Sequence, residues 1–240
     1  MIHSAAATGL PPGFCVGAGQ RMESDAPIVA KMGVAYGRTG PSRFFSHHDM
    51  MRFWDRATRR AGLPVRMTCG FNPRPRLVFP RPLPLGVASD AEMVEVEFSR
   101  PVDAAVVRER LSGLMVGGMS IRGVAPMPLR RKGQVVVRTE YRLKCAAEPA
   151  GVMRWTEAFL ATEHCPVTRS GKSGEKTVDI RPSVTEAAAS GNLITIRVDE
   201  QGPSPAKPYE LLLWFAQASG LPESAFSIRV ADATYALEKD

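Results

Sequence analysis

The sequence predicts an α+β fold whose elements run β-α-β-β-α-β twice. Three observations carry this. Segments of period two, such as "EMVEVEF" (92–98) and "QVVVRTEYRLKC" (134–145), alternate with segments of helical period. Gly, Pro and Asn punctuate the joins between them. The chain has 240 residues, 44% hydrophobic and 23% charged, enough for two units of about 100 residues each or one larger domain.

Taken in order, "MGVAYGR" (32–38) reads as a strand and "TGPSRFF" as a turn. Ser46 then opens a helix, with Asp49 three residues on as a capping-box partner. Met50, Trp54, Ala57 and Ala61 recur at i, i+4, i+7 and i+11 and give that helix one apolar face. Gly62 ends it. "RLVF" (76–79) is a short strand inside a proline-rich stretch, and 92–98 is a strictly alternating strand. Val102, Val106, Leu111 and Leu114 mark a second helix over 102–115, and "MSIRGVAPM" (119–127) a closing strand.

The second half repeats the order more loosely, with one strand more between its helices: a strand at 134–145, a helix at 150–162, strands at "CPVTRS" (165–170) and 176–182, a strand at 192–200, a helix at 208–220 and a last strand at 226–237. Pro208 near the start and Gly220 past the end bracket the final helix. Each half thus has the split βαβ order of a ferredoxin-like domain. Two such halves in tandem suggest an internal duplication, although no residue-level repeat accompanies it. The expected division is a tail over 1–31, a first domain over 32–130 and a second over 131–240. The tail is Ala-, Gly- and Pro-rich without periodicity. It reads as disordered or as lying upstream of the true start, with Met22 and Met32 as alternative starts, and is expected to be dispensable.

The net charge of +7 is concentrated. Between Tyr36 and Pro82 stand ten arginines, no lysine and two acids, leaving the rest of the chain near neutral. A local basic excess is the electrostatic footprint of a polyanion. Four cysteines, Cys15, Cys69, Cys145 and Cys165, form no CxxC pair and read as free thiols. No stretch is long and apolar enough to span a membrane, nor does the amino terminus read as a signal peptide. A cytoplasmic protein is expected.

The stretch "GFNPRPRLVFPRPLPLG" (70–86) holds five prolines and three arginines. Closely spaced prolines keep the backbone extended and remove amide donors. Arg74 and Arg76 are expected on one face, with Phe71 and Phe79 placed to stack on unpaired bases. Arg is suited to bidentate phosphate contact. The structural alternative is an edge protected by its prolines and solvated by its arginines.

The motifs "FSHHDMMR", "RRAGLPV", "GFNPRPR" and "PLPLGV", followed by "KTVDIRP", make the chain resemble the radical SAM-linked proteins (DUF2344) over roughly residues 32–237. This is a bacterial domain found fused to, or encoded beside, B12-type radical SAM proteins. The resemblance implies a bacterial cytoplasmic protein with a radical SAM protein as partner, and no established reaction. The chain itself carries no CxxxCxxC motif for an iron–sulfur cluster. Radical chemistry is therefore expected to belong to a separate partner, and no cofactor is expected here.

The expected activity is RNA binding, as an accessory or substrate-presenting module in RNA modification or processing, more a binding protein than an enzyme. The candidate contact residues are Arg43, Arg52, Arg56, Arg59, Arg60, Phe71, Arg74, Arg76, Arg81, Lys172 and Arg181. The alternatives are a self-sufficient, metal-independent RNA-processing enzyme using His47 or Asp49, and a protein-docking module. His47, His48 and Asp49 are adjacent, so on a helix they diverge, which argues against one shared metal. His164 beside Cys165 is a weaker thiol-activation candidate. "RSGKSGEK" (169–176) is not a P-loop, because Pro166 stands where the motif needs glycine.

Overall fold

A computed structural model describes residues 27–129, 133–171 and 174–238. Fourteen regular elements are described: β1 (Ala30–Arg38), α1 (His47–Arg60), β2 (Leu77–Val78), β3 (Ala88–Phe98), α2 (Ala104–Ser112), β4 (Met119–Pro126), β5 (Gln134–Cys145), α3 (Pro149–Ala161), β6 (Pro166–Gly171), β7 (Gly174–Asp179), β8 (Val184–Ser190), β9 (Leu193–Asp199), α4 (Pro208–Ser219) and β10 (Phe226–Leu237). Lys172, the linker residues 130–132, Cys15 and Met22 lie outside the described residues.

One mixed sheet joins strands from both halves in the order β4-β1-β3-β10-β5-β9-β8, and β2 also pairs with β3. Within residues 30–126 the order is β4-β1-β3-β2, and within 134–237 it is β10-β5-β9-β8. The two meet where β10 runs parallel to β3, pairing Arg229 with Ala88 and Val230 with Ser89. Elsewhere neighbours are antiparallel. The hairpin β6–β7 stands apart from this sheet.

The helices cover one face in two pairs, each over its own core. Trp54 and Phe53 of α1 and Leu111 and Val107 of α2 pack on Val34, Val94, Val96 and Phe98. Phe159 of α3 and Leu211 and Phe215 of α4 pack on Leu143, Ile194, Ile196 and Val230. The other face carries charge. Asp90 bridges Arg122 of β4 and Arg229 of β10 at 2.7 and 3.3 Å. Glu140 bridges Arg142 and Arg197 at 3.2 and 3.3 Å. Asp90 reaches that face because Asp90 and Ala91 stand opposite the single residue Gly37, a bulge that shifts the β1–β3 register.

Several elements differ from the sequence reading: β3 begins at Ala88 rather than Glu92, and α2 is confined to Ala104–Ser112. β1 begins at Ala30 rather than Met32, and the Val29 N–H already donates to the Phe98 carbonyl. The segment 176–182 splits into the end of β7 and a 3-10 turn at Arg181–Ser183. β8, "VTEAAAS", was not expected as a strand. Its alanines favour helix on propensity, and pairing with β9 overrides that preference. The capping box of α1 is as expected: Asp49 N–H donates to Ser46 Oγ, and Asp49 Oδ2 accepts from the Ser46 N–H.

Candidate nucleic-acid interface

Burying Met50, Trp54 and Ala57 leaves the opposite side of α1 in solvent, and Arg52, Arg56, Arg59 and Arg60 are exposed there. The eight steps from residue 52 to residue 60 cover about 12 Å at the helical rise. Arg59 donates from Nη2 to the Pro73 carbonyl at 2.8 Å and from Nε to Asp55 at 2.5 Å. The first bond fastens α1 to the arm formed by residues 64–78.

The arm is a narrow extended ribbon. Arg66 N–H donates to the Glu97 carbonyl and Glu97 N–H to the Arg76 carbonyl, so both sides of the ribbon hang on β3. Further out, Thr68 N–H donates to the Arg74 carbonyl at 2.8 Å, and the Arg74 N–H returns a bond to Thr68 Oγ1 at 2.9 Å. Arg66 and Glu97 pair at 2.7 Å near its base. The tip carries Phe71 in full solvent, with Arg74 exposed beside it. Arg110 of α2 adds a cation at the far end of α1, donating to the Ala61 and Gly62 carbonyls at 3.2 and 3.3 Å. Sequence reasoning missed it because it lies about fifty positions on, in an unremarkable "RERL".

The structure thus brings together Arg52, Arg56, Arg59, Arg60, Phe71 and Arg74. Arg76 is half-buried at the arm's base. Arg43 sits in the 3-10 turn before α1, its guanidinium 4.7 Å over the Phe44 ring. Arg181 lies in the other half, where its guanidinium donates to the Leu160, Thr162 and Val184 carbonyls.

Arg81 turns inward. The proline-rich chain runs from β2 to β3 across the helix side of the seam: Phe79 packs on the first core, and Leu83 and Val87 belong to the second. Between them Arg81 donates to Thr139 Oγ1 at 2.7 Å and pairs with Glu92 at 3.4 Å and Glu200 at 3.5 Å. Thr139 in turn donates to Glu200 at 2.6 Å. Burial alone would lower the Arg81 pKa, but Glu92, Tyr141, Tyr235 and Glu200 outweigh it and hold the guanidinium charged. Burial pushes the Tyr36, Tyr141 and Tyr235 hydroxyls upward, so they stay protonated in this polar layer. Glu92 lies 11 positions away on β3, but Thr139 of β5 and Glu200 just past β9 lie 58 and 119 positions away, which no local pattern could show.

The catalytic candidates are engaged locally. Asp49 is the capping-box partner of the N-cap Ser46, and its bonds from Ser46 hold its carboxyl below the ordinary range. The His47 ring packs edge-on against Phe79 at 5.5 Å. His164 Nδ1 meets Asp179 at 2.8 Å. Cys165 is buried, and that burial, with Asp179 and Glu210 nearby, pushes its thiol up to about 11. A thiol so placed is a poor nucleophile. Among the described residues no group of three His, Cys, Asp or Glu is placed to hold a metal ion, and no helix is long and apolar enough to cross a membrane.

No curated protein matches the chain. A family model described as "uncharacterized protein conserved in bacteria" matches residues 31–207, from the second residue of β1 to the N-cap of α4. The basic face of α1, the arm and the whole proline-rich crossing fall inside that span. The match covers well over half of the 240 residues, and the chain belongs to this bacterial family, DUF2344.

Proposed function

We propose that this protein binds single-stranded RNA across α1 and the arm, and presents it to a radical SAM enzyme in the cytoplasm. On this reading its two halves are ferredoxin-like units, each with the strand order noted above. The observation that carries the proposal is the clamp between Arg59 and Pro73. It joins a helical row of exposed arginines to an arm whose tip is an exposed phenylalanine. Arginines supply phosphate contacts and an aromatic ring supplies a base-stacking platform, the combination that single strands need. The arm's bonds to β3 lower the entropy cost of ordering it on binding.

The test is RNA affinity over a salt series for the wild type and for Arg52→Ala/Arg56→Ala/Arg74→Ala. Each lost phosphate contact removes about 0.7 from the logarithmic salt slope of a single strand, so the triple variant should flatten it by about 2. Phe71→Ala should weaken binding by about 1–3 kcal/mol with the slope unchanged. Equal slopes for wild type and triple variant would remove this face from RNA binding and leave protein docking as its role.

A further inference from the structure

On the helix side of the seam, where the turn before α1 meets α4 and the start of β10, lies a cavity of about 280 Å³. Its wall includes Arg43, Tyr209, Leu212, Glu223, Ser224 and Phe226. The volume lies just under the usual range for small-molecule sites, so a ligand would fill it and project from its open side. The lining offers one cation, one carboxylate beside a hydroxyl, and the exposed edges of the core residues Leu212 and Phe226. Those groups match a phosphate, a ribose diol and a planar base. A single carboxylate accepts both hydroxyls of a diol, and its charge opposes a second phosphate.

The backbone that carries the cation is held from behind. Arg38 is almost fully buried, and its Nη2 donates to the Arg43 and Phe45 carbonyls, both at 2.9 Å. The Gly86 N–H donates to the same Arg43 carbonyl at 2.9 Å. The Tyr209 hydroxyl donates to the Leu85 carbonyl and closes the proline-rich loop against α4. Gly86 has φ +82°, and a Cβ there would lie 2.8 Å from the Tyr209 hydroxyl, so a side chain at 86 would push this wall apart. The backbone that carries Arg43 is thus fixed before any ligand arrives, which favours binding.

We infer that this cavity binds one nucleoside monophosphate unit, with Arg43 on the phosphate, Glu223 and Ser224 on the ribose, and the base against Leu212 and Phe226. The unit is a free mononucleotide or the end residue of a strand lying on α1. The second source rests on the RNA reading above. α1 leads away from the 40–44 turn, so a strand following Arg60, Arg56 and Arg52 ends at Arg43.

The experiment is calorimetric titration with adenosine 5′-monophosphate, adenosine and inorganic phosphate. It uses the full chain, its Arg43→Ala and Ser224→Trp variants, and Arg52→Ala/Arg56→Ala. Wild type should bind the monophosphate. Arg43→Ala should weaken that by about tenfold or more without changing adenosine binding, as expected for loss of a charged contact. Ser224→Trp, which fills the cavity, should abolish both, and the α1 variant should change neither. Arg43 lies in an exposed turn, so its variant carries the test if Ser224→Trp does not fold. A parallel arm measures single-stranded RNA of about twelve nucleotides with and without a 5′-phosphate. An Arg43-dependent gain from that phosphate assigns the strand end, and its absence alongside mononucleotide binding assigns the free nucleotide. If the monophosphate does not bind the wild type, or binds Arg43→Ala and Ser224→Trp equally well, the site is overturned. RNA binding that survives this outcome leaves the α1 reading standing, and loss of RNA binding alone leaves the cavity standing.

Discussion

At the scale of single residues, buried charges decide more than exposed ones. Lys31 Nζ pairs with Glu95 at 2.6 Å, and both side chains are essentially inaccessible. The Gln134 N–H also donates to Glu95. Lys31 therefore belongs to the folded domain although the sequence pattern placed it in a dispensable tail. Its replacement by Met should cost about 3–5 kcal/mol, because the Glu95 carboxylate is left buried without its cation. Lys31→Met/Glu95→Leu should recover most of that loss. Chemical denaturation of wild type, single and double variants measures both numbers. A single variant within about 0.5 kcal/mol of wild type would put Lys31 among ordinary surface positions. By the same logic a chain starting at Met32 should melt lower than one starting upstream.

At the scale of elements, Arg181 replaces a missing helix cap. α3 ends without a basic residue in its last turn, and its carbonyls at Leu160 and Thr162 are met by the Arg181 guanidinium from the turn that begins β8. The third bond, to the Val184 carbonyl, fixes the start of that edge strand. Arg181→Ala should destabilise the protein by about 2 kcal/mol, the scale of losing hydrogen bonds from a charged group. Arg181→Lys should restore under half, because a point ammonium cannot span three carbonyls as the planar fork does. Urea midpoints check both, and equal stability for Ala and wild type would mean the contacts are incidental. RNA affinity should stay unchanged in these variants, since Arg181 lies away from α1 and the arm.

At the scale of the molecule, two cores share one sheet and a polar seam. Arg81, on the chain crossing between them, meets Glu92 of the first half and Thr139 and Glu200 of the second. Arg81→Ala should lower stability by about 3–5 kcal/mol by stranding buried carboxylates. It should also loosen the coupling between halves. With Trp54 reporting on the first core and Trp214 on the second, wild type should unfold in one coincident transition and the variant in two displaced ones. Coincident transitions in the variant would show that the β3–β10 pairing alone couples the halves.

The sequence by itself determined what local periodicity and capping encode. It placed α1 with its Ser46–Asp49 box, the alternation of β3 and β5, the bracketing of α4 and the exposed arginine row of α1. These rest on neighbours within one turn or one strand, which a reader of the chain can see. Only the tertiary structure decided the sense of the prolines. One arginine of the stretch, Arg74, stands in solvent near an exposed phenylalanine. Another, Arg76, is half-buried at the arm's base, and Arg81 closes a buried ion cluster. The same residue type takes opposite roles seven positions apart because its environment comes from β5 and the end of β9. Those partners lie 58 and 119 positions away. β8 and Lys31 share that cause: a local preference for helix is overruled by pairing with β9, and the tail-like pattern around an isolated lysine by a buried carboxylate on β3.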